Sequence, residues 1–221
     1  MDIELRSVSK SFNGNLVVRK LNLIIKDQSI VCLLGPSGCG KTTTLKIIAG
    51  LIVPDKGSIL FDGKDVTSLP PEERNTGIVP QNYSLFPHLT VEKNIAFGLE
   101  VRNYSKEEIK KRVKELLKLV KLTGFEKRYP RQLSGGQQQK IALSRALAHY
   151  PSILLLDEPL ASIDLKDRIR LRREIKTIQK KTKATTLYIT HDVNEAFAVS
   201  DKIAVMENGR IKSYRSTKKP V

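Results

Sequence analysis

Apolar and polar positions alternate through the first 25 residues: IELRSVSKSF and LVVRKLNLII repeat with the period of two expected of antiparallel strands with one covered face. The pattern then changes at SIVCLLG (29–35), a continuous apolar run closed by glycine that suits a strand buried on both faces. From Lys41 the spacing turns helical, with Leu45, Ile47, Ile48 and Leu51 on a segment expected to stop before Pro54. GSILFDG and TGIVPQ read as two more strands.

From about Asn82 to His149 the texture is mostly helical. Ser105 and Glu108 form a capping box ahead of an amphipathic run, and another helix is expected from Ser134 until Pro151. ILLLDEP then returns to a buried strand. A long basic helix, the strand TTLYIT, a helix opened by Asp192 with Glu195, and a hairpin turning at Asn208-Gly209 follow. Strand–helix alternation with a helical insert predicts an α/β fold: a P-loop core with a mainly parallel sheet, an N-terminal antiparallel β lobe and an inserted helical subdomain. The expected division of 1–221 is a core from 1–81 and 150–221 with the insert at 82–149.

Composition narrows the classes. The 221 residues are 40% hydrophobic and 28% charged, with no apolar run long enough to span a bilayer and no signal-like N-terminus. Two cysteines without metal-ligand spacing make a reducing compartment the default. The net charge of +16 asks for an anionic partner, either nucleic acid or a membrane surface. Much of it sits on two amphipathic helices, 106–121 and 164–181, and no aromatics interleave those basic runs, which argues against nucleic acid as the principal partner.

The chemistry begins at GPSGCGKT, Gly35 to Thr42, which fits GxxxxGK[ST] between a buried strand and a helix and continues into Thr43 and Thr44. Gly35, Pro36, Ser37, Gly38, Cys39 and Gly40 let backbone N–H groups wrap a phosphate at a helix N-terminus. Lys41 is expected to reach the β- and γ-phosphates, and the Thr42 hydroxyl to ligate Mg²⁺. Asp157, ending ILLLD, places a carboxylate near the phosphates where it can hold Mg²⁺ through the water shell, and Glu158 stands where a base could orient water.

In this order the motifs resemble the nucleotide-binding subunit of ABC transporters over nearly the whole chain: GPSGCGKT, Gln81 after a short strand, LSGGQ (133–137), ILLLDEP, ASID (161–164) and His191 in THD. The resemblance implies a Mg-dependent ATPase. It assigns Phe12, where Tyr is more usual, to stacking on adenine, with a core Phe as the alternative. It assigns Gln81 to Mg²⁺ and the attacking water, Glu158 to the general base, and His191 to the γ-phosphate. It further implies that Leu133, Ser134, Gly135, Gly136 and Gln137, with Asp164, act in trans on ATP held by a second subunit, so that a head-to-tail dimer buries two ATP molecules. Gln138 and Gln139 read as helix surface. Cys39, inside the loop, is expected to lose ATP hydrolysis on alkylation and to be protected by ATP.

LFPHLTV with NIAFGL is similar to the importers of sugars, polyamines, sulfate and ferric iron. Phe86 and Leu89 then offer an apolar patch to a membrane-spanning permease, with core packing of Leu85 and Phe86 as the alternative. The implied partners are a second ATP-binding subunit, permease subunits and an external solute-binding protein, with the chain peripheral on the cytoplasmic face of the membrane. Members of that group usually carry a β-rich C-terminal regulatory domain; this chain stops at RIKSYRSTKKPV, so regulation by such a domain is not expected. The rivals are a soluble ABC-type ATPase acting on nucleic acid or ribosomes, and a basic binding module, which would leave the motifs unexplained.

Overall fold

The computed structural model of the chain describes residues 1–217. In chain order the elements are β1 (Ile3–Phe12), β2 (Asn15–Ile25), β3 (Ile30–Leu34), α1 (Lys41–Ile48), β4 (Lys56–Phe61), β5 (Lys64–Asp65) and β6 (Thr76–Val79). Then come α2 (Val91–Glu100), α3 (Lys106–Leu119), α4 (Gly135–Leu147), β7 (Ile153–Asp157), α5 (Leu165–Thr182), β8 (Thr185–Thr190), α6 (Val193–Val199), β9 (Lys202–Glu207) and β10 (Arg210–Ser216).

The alternating N-terminal pattern becomes an antiparallel sheet in the order β2-β1-β4-β5, with Ile3 opposite Ile25 and Phe12 opposite Asn15. The second sheet runs β10-β9-β3-β8-β7-β6, parallel throughout except for the β9/β10 hairpin. Asn208 and Gly209 turn that hairpin at φ 47° and 78°, as a tight turn of this kind requires.

The continuous apolar runs have a simple physical cause. Side chains of a strand alternate between faces, and here both faces are covered. Ile30 and Cys32 of β3 enter one core with Leu154, Leu156, Tyr188 and the helices α2 to α6. Val31 and Leu33 enter the other, with Leu155, Leu187, α1 and the antiparallel sheet. Helices α2, α3 and α4 pack on one another, and α4 also lies against β6.

Two details depart from the sequence reading. Leu51 is not part of α1: the helix ends at Ile48, Gly50 takes φ 79°, and Leu51 is exposed. The end is set locally: left-handed Gly50 donates to the Ile47 carbonyl (3.1 Å) and Leu51 to the Lys46 carbonyl (2.9 Å), while the buried Arg74 guanidinium donates to the carbonyls of Ile47 (2.8 Å) and Ile48 (3.0 Å). Gln138 and Gln139 are not helix surface either. Gln139 is buried, and Gln138 Nε2 donates to the carbonyls of Pro130 (3.1 Å) and Leu133 (3.3 Å), bracing the turn before α4.

Candidate functional site

Four neighbouring parallel strands deliver the candidate residues to one edge. β3 runs into the loop 35–40, β6 into Gln81, β7 ends on Asp157 before Glu158, and β8 ends at Thr190 before His191. Loops at the carboxyl ends of parallel strands are where open α/β sheets form their crevices. Ser37, Gly38, Gly40, Lys41, Thr42, Gln81 and Glu158 line one cavity of about 230 Å³.

The loop geometry explains its glycines. Gly38 and Gly40 take φ 79° and 105°, the left-handed region open to glycine at little cost. A Cβ on Gly35 would collide with the Met206 carbonyl and the Cys39 sulfur. Lys41 is buried, and its ammonium donates to the carbonyls of Gly35 and Pro36, both at 2.8 Å, across the mouth of the helix. Thr42 Oγ1 donates to Asp157 Oδ1 at 3.0 Å, bringing two hard oxygen donors together. Burial raises the Asp157 carboxyl above the usual range; the Thr42 hydrogen bond opposes this and the neighbouring Glu158 charge adds to it.

Glu158 holds a left-handed φ of 43°, which a non-glycine residue adopts only under surrounding constraint. Its N–H donates to the Ile189 carbonyl (3.1 Å), and its Oε2 lies 3.0 Å from His191 Nδ1. The carboxylate and the imidazole are therefore paired.

Ser134 caps α4. Its hydroxyl accepts from the Gln137 N–H while the Gln137 side chain accepts from the Ser134 N–H, a reciprocal box that leaves the N-terminus of α4 well formed. A Cβ on Gly135 would meet the Ile163 side chain at 3.4 Å and the Ser162 carbonyl at 3.6 Å, so the α4 start lies beside the Asp164 loop. Ser134, Gly135, Gly136, Asp164 and Phe12 are not among the residues lining the phosphate-loop cavity of their own chain. Leu133 is buried, and Asp164 sits exposed at the N-cap of α5. Phe12 is 43% exposed at the end of β1 with the Lys10 ammonium 5.6 Å from its ring centroid, which excludes a core role. Leu85 packs on the core, whereas Phe86 stacks on half-exposed Phe97 at 4.6 Å.

The expected reactivity of Cys39 needs correcting. Its backbone belongs to the loop, but its side chain is 7% exposed and packs into the core that contains α1. Cys32 is fully buried, and burial pushes its thiol well up. Maleimide is therefore expected to label either cysteine roughly 100-fold more slowly in the folded chain than in urea, since access requires local opening. Rapid native labelling followed by mass spectrometry of the Cys39 peptide would contradict this placement.

Sequence reasoning missed three residues. Arg145 of α4 donates to the carbonyls of Tyr83 (2.9 Å) and Ser84 (2.6 Å), linking the α4 helix to the loop after Gln81. Arg168 and Arg172 of α5 face Asp192 at 3.8 and 2.9 Å. No signal marked Arg168 and Arg172: within a run of basic residues, those that turn inward look the same as those that meet water.

A phosphate loop, a hydroxyl–carboxylate pair and an acid–imidazole pair on one edge of a parallel sheet define the class as a P-loop nucleotide-binding fold. Within it, the ABC transporter family model matches residues 18–161, and the chain belongs to that family. It is 53% identical over 209 residues to the spermidine/putrescine import ATP-binding protein PotA of Clostridioides difficile (strain 630), covering 95% of this chain and 60% of that one. It is also 53% identical over 215 residues to the sulfate/thiosulfate import ATP-binding protein CysA of Caulobacter vibrioides, covering 96% and 63%. The chain thus spans about 60% of the length of the curated relatives it matches. A solved dimeric structure of the ATP-binding cassette MJ0796, described as a post-hydrolysis state bound to ADP and Pi, superposes with a TM-score of 0.87 at 32% identity, covering 98% of this chain and 99% of that one.

Proposed function

We propose that the chain binds and hydrolyses ATP with Mg²⁺ to drive solute import through permease subunits. The observation that carries this reading is the convergence of Lys41, the Thr42–Asp157 pair and the Glu158–His191 pair on the edge that holds the loop cavity.

The residues fit the metal. Thr42 Oγ1 and Asp157 are oxygen donors already in contact, and Gln81 lines the same cavity, a donor set suited to a cation that takes few protein ligands and completes its shell with phosphates and water. Bound there, Mg²⁺ supplies positive charge to the β- and γ-phosphate oxygens. The loop N–H groups of residues 35–42 cradle the phosphates, and Lys41 trades its contacts with the Gly35 and Pro36 carbonyls for terminal phosphate oxygens. The Gln81 side chain helps orient the attacking water. The water oxygen forms the new bond to phosphorus as the bond to ADP breaks, and the water proton passes to Glu158 Oε. His191 holds that carboxylate through Nδ1 and has Nε2 for the γ-phosphate. Phe12 stacks on adenine.

Ser134, Gly135, Gly136 and Gln137, with Leu133 buried beneath them, and Asp164 complete the site of a second cassette. The adjoining of these two segments, away from their own loop cavity, supports this arrangement. Residues 82–149 act as a helical subdomain that receives the permease near Phe86, Leu89 and Phe97. An external solute-binding protein delivers the solute, and the chain works on the inner face of the membrane. The names of the relatives and the LFPHLTV segment support import.

The purified chain is expected to release phosphate from ATP with Mg²⁺ and to stop with a chelator. Tagged chain from solubilised membranes is expected to carry a polytopic membrane protein with it. Chelator-resistant hydrolysis counts against the metal, and recovery of the chain with ribosomes or nucleic acid but no membrane protein counts against the transporter.

A further inference from the structure

We propose that Arg168 is a positioning residue for hydrolysis, binding the loops that carry Asp164, Glu158 and His191 into one unit. This rests on the ATPase reading above.

Arg168 is the fourth residue of α5, one turn beyond Asp164. Its Nη2 donates to the Ile163 carbonyl at 3.0 Å, which holds the Asp164 loop against its own helix. Its Nη1 faces Asp192 Oδ2 at 3.8 Å, and Arg172 donates to the same oxygen at 2.9 Å. Asp192 follows His191 directly and caps α6 by accepting from the Glu195 N–H at 3.0 Å. Arg168 also lines a small cavity of about 30 Å³ with Glu158, Ala161, Thr190, His191 and Glu195. A space of that size holds about one water.

Arg168 Nε is buried without a hydrogen-bond partner among the described residues. One guanidinium thus touches the Asp164 loop and the segment after His191, and borders Glu158.

A purely structural role is the competing account, and it makes a different prediction. The Arg168–Asp192 pair is partly exposed and long, the kind of ion pair that adds little to stability. Its removal is therefore expected to leave melting within a few degrees of wild type while loosening the loops. Misplacing a catalytic group by about 1 Å is enough to cost on the order of 100-fold in rate.

The test compares Arg168→Ala, Arg168→Lys and wild type as full chains. Arg168→Ala is expected to lower kcat about 10-fold or more with KM for ATP changed less than about threefold. Arg168→Lys, which keeps one charged donor, is expected to fall between. Hydrogen exchange is expected to speed up at 159–164 and 191–195 in Arg168→Ala and to stay unchanged in β3 and β8. A wild-type kcat, unchanged exchange in those segments, or a loss matched by nucleotide affinity and melting overturns the proposal. If the wild-type chain hydrolyses nothing, the ATPase reading falls, and the exchange pattern alone still decides whether Arg168 holds the loops.

Discussion

Glu158→Gln is expected to leave ATP bound and almost unhydrolysed, with kcat down about 10³-fold, in the range lost when a positioned acid–base group is removed. The substitution is close to isosteric, and the glutamine oxygen can still accept from His191 Nδ1, so the Glu158–His191 contact survives in form. The loss therefore falls on the proton, not on the shape of the site. Metal binding is expected to persist or tighten, because the Glu158 charge is one of the influences raising the Asp157 carboxyl, and its removal makes the ionised ligand easier to keep. Blocked hydrolysis has a second consequence. The 24.8 kDa chain is expected to run as a monomer without nucleotide and at about twice that mass by light scattering when the variant holds ATP. Undiminished phosphate release removes Glu158 from the role of base. A variant that stays monomeric with saturating ATP, without membrane partners, removes simple ATP-driven dimerisation.

Much of this fold was legible because its patterns are local. The alternation of β1 and β2, the doubly buried runs of β3, β7 and β8, and the caps at Ser105, Ser134 and Asp192 each follow from a few adjacent residues. The phosphate loop was legible for the same reason: its glycines, Lys41 and Thr42 are consecutive, and the Thr42–Asp157 contact follows once two strand ends are known to share an edge. Features fixed by distant parts of the chain stayed hidden. The partner of the last α1 carbonyls is Arg74, 26 residues beyond Ile48. The inward turn of the Cys39 side chain depends on the core beneath it, and the burial of Gln139 depends on how α4 packs. Arg168 is the sharpest case, since its partners, the Ile163 carbonyl and Asp192, lie on separate segments, and its identity as a basic residue on a basic helix carries no mark of that.

The other large effect concerns the shared site, and two inactive chains test it. Lys41→Ala removes the buried ammonium from the phosphate loop, and the chain is expected to lose nearly all hydrolysis. Ser134→Arg places a bulky side chain at the capping position of α4 and is expected to do the same, at a stability cost of about 1 kcal/mol for the lost cap. If Ser134 served its own Lys41, mixing the two would restore nothing. In a head-to-tail dimer the heterodimer pairs the intact loop of the Ser134→Arg chain with the intact α4 terminus of the Lys41→Ala chain, which makes one whole site and one doubly broken one. Equal mixing makes about half the dimers mixed, so about a quarter of wild-type activity is expected if the two sites fire independently. The recovered activity should rise with the product of the two chain concentrations and vanish when either chain is omitted. A mixture as inactive as its components, under conditions where labelled chains are seen to exchange partners, leaves either a site completed within one chain or two sites that must fire together. A chain carrying both substitutions, mixed with wild type, separates these: shared sites, coupled or not, lose activity in every mixed dimer, whereas sites complete within one chain leave the wild-type partner fully active.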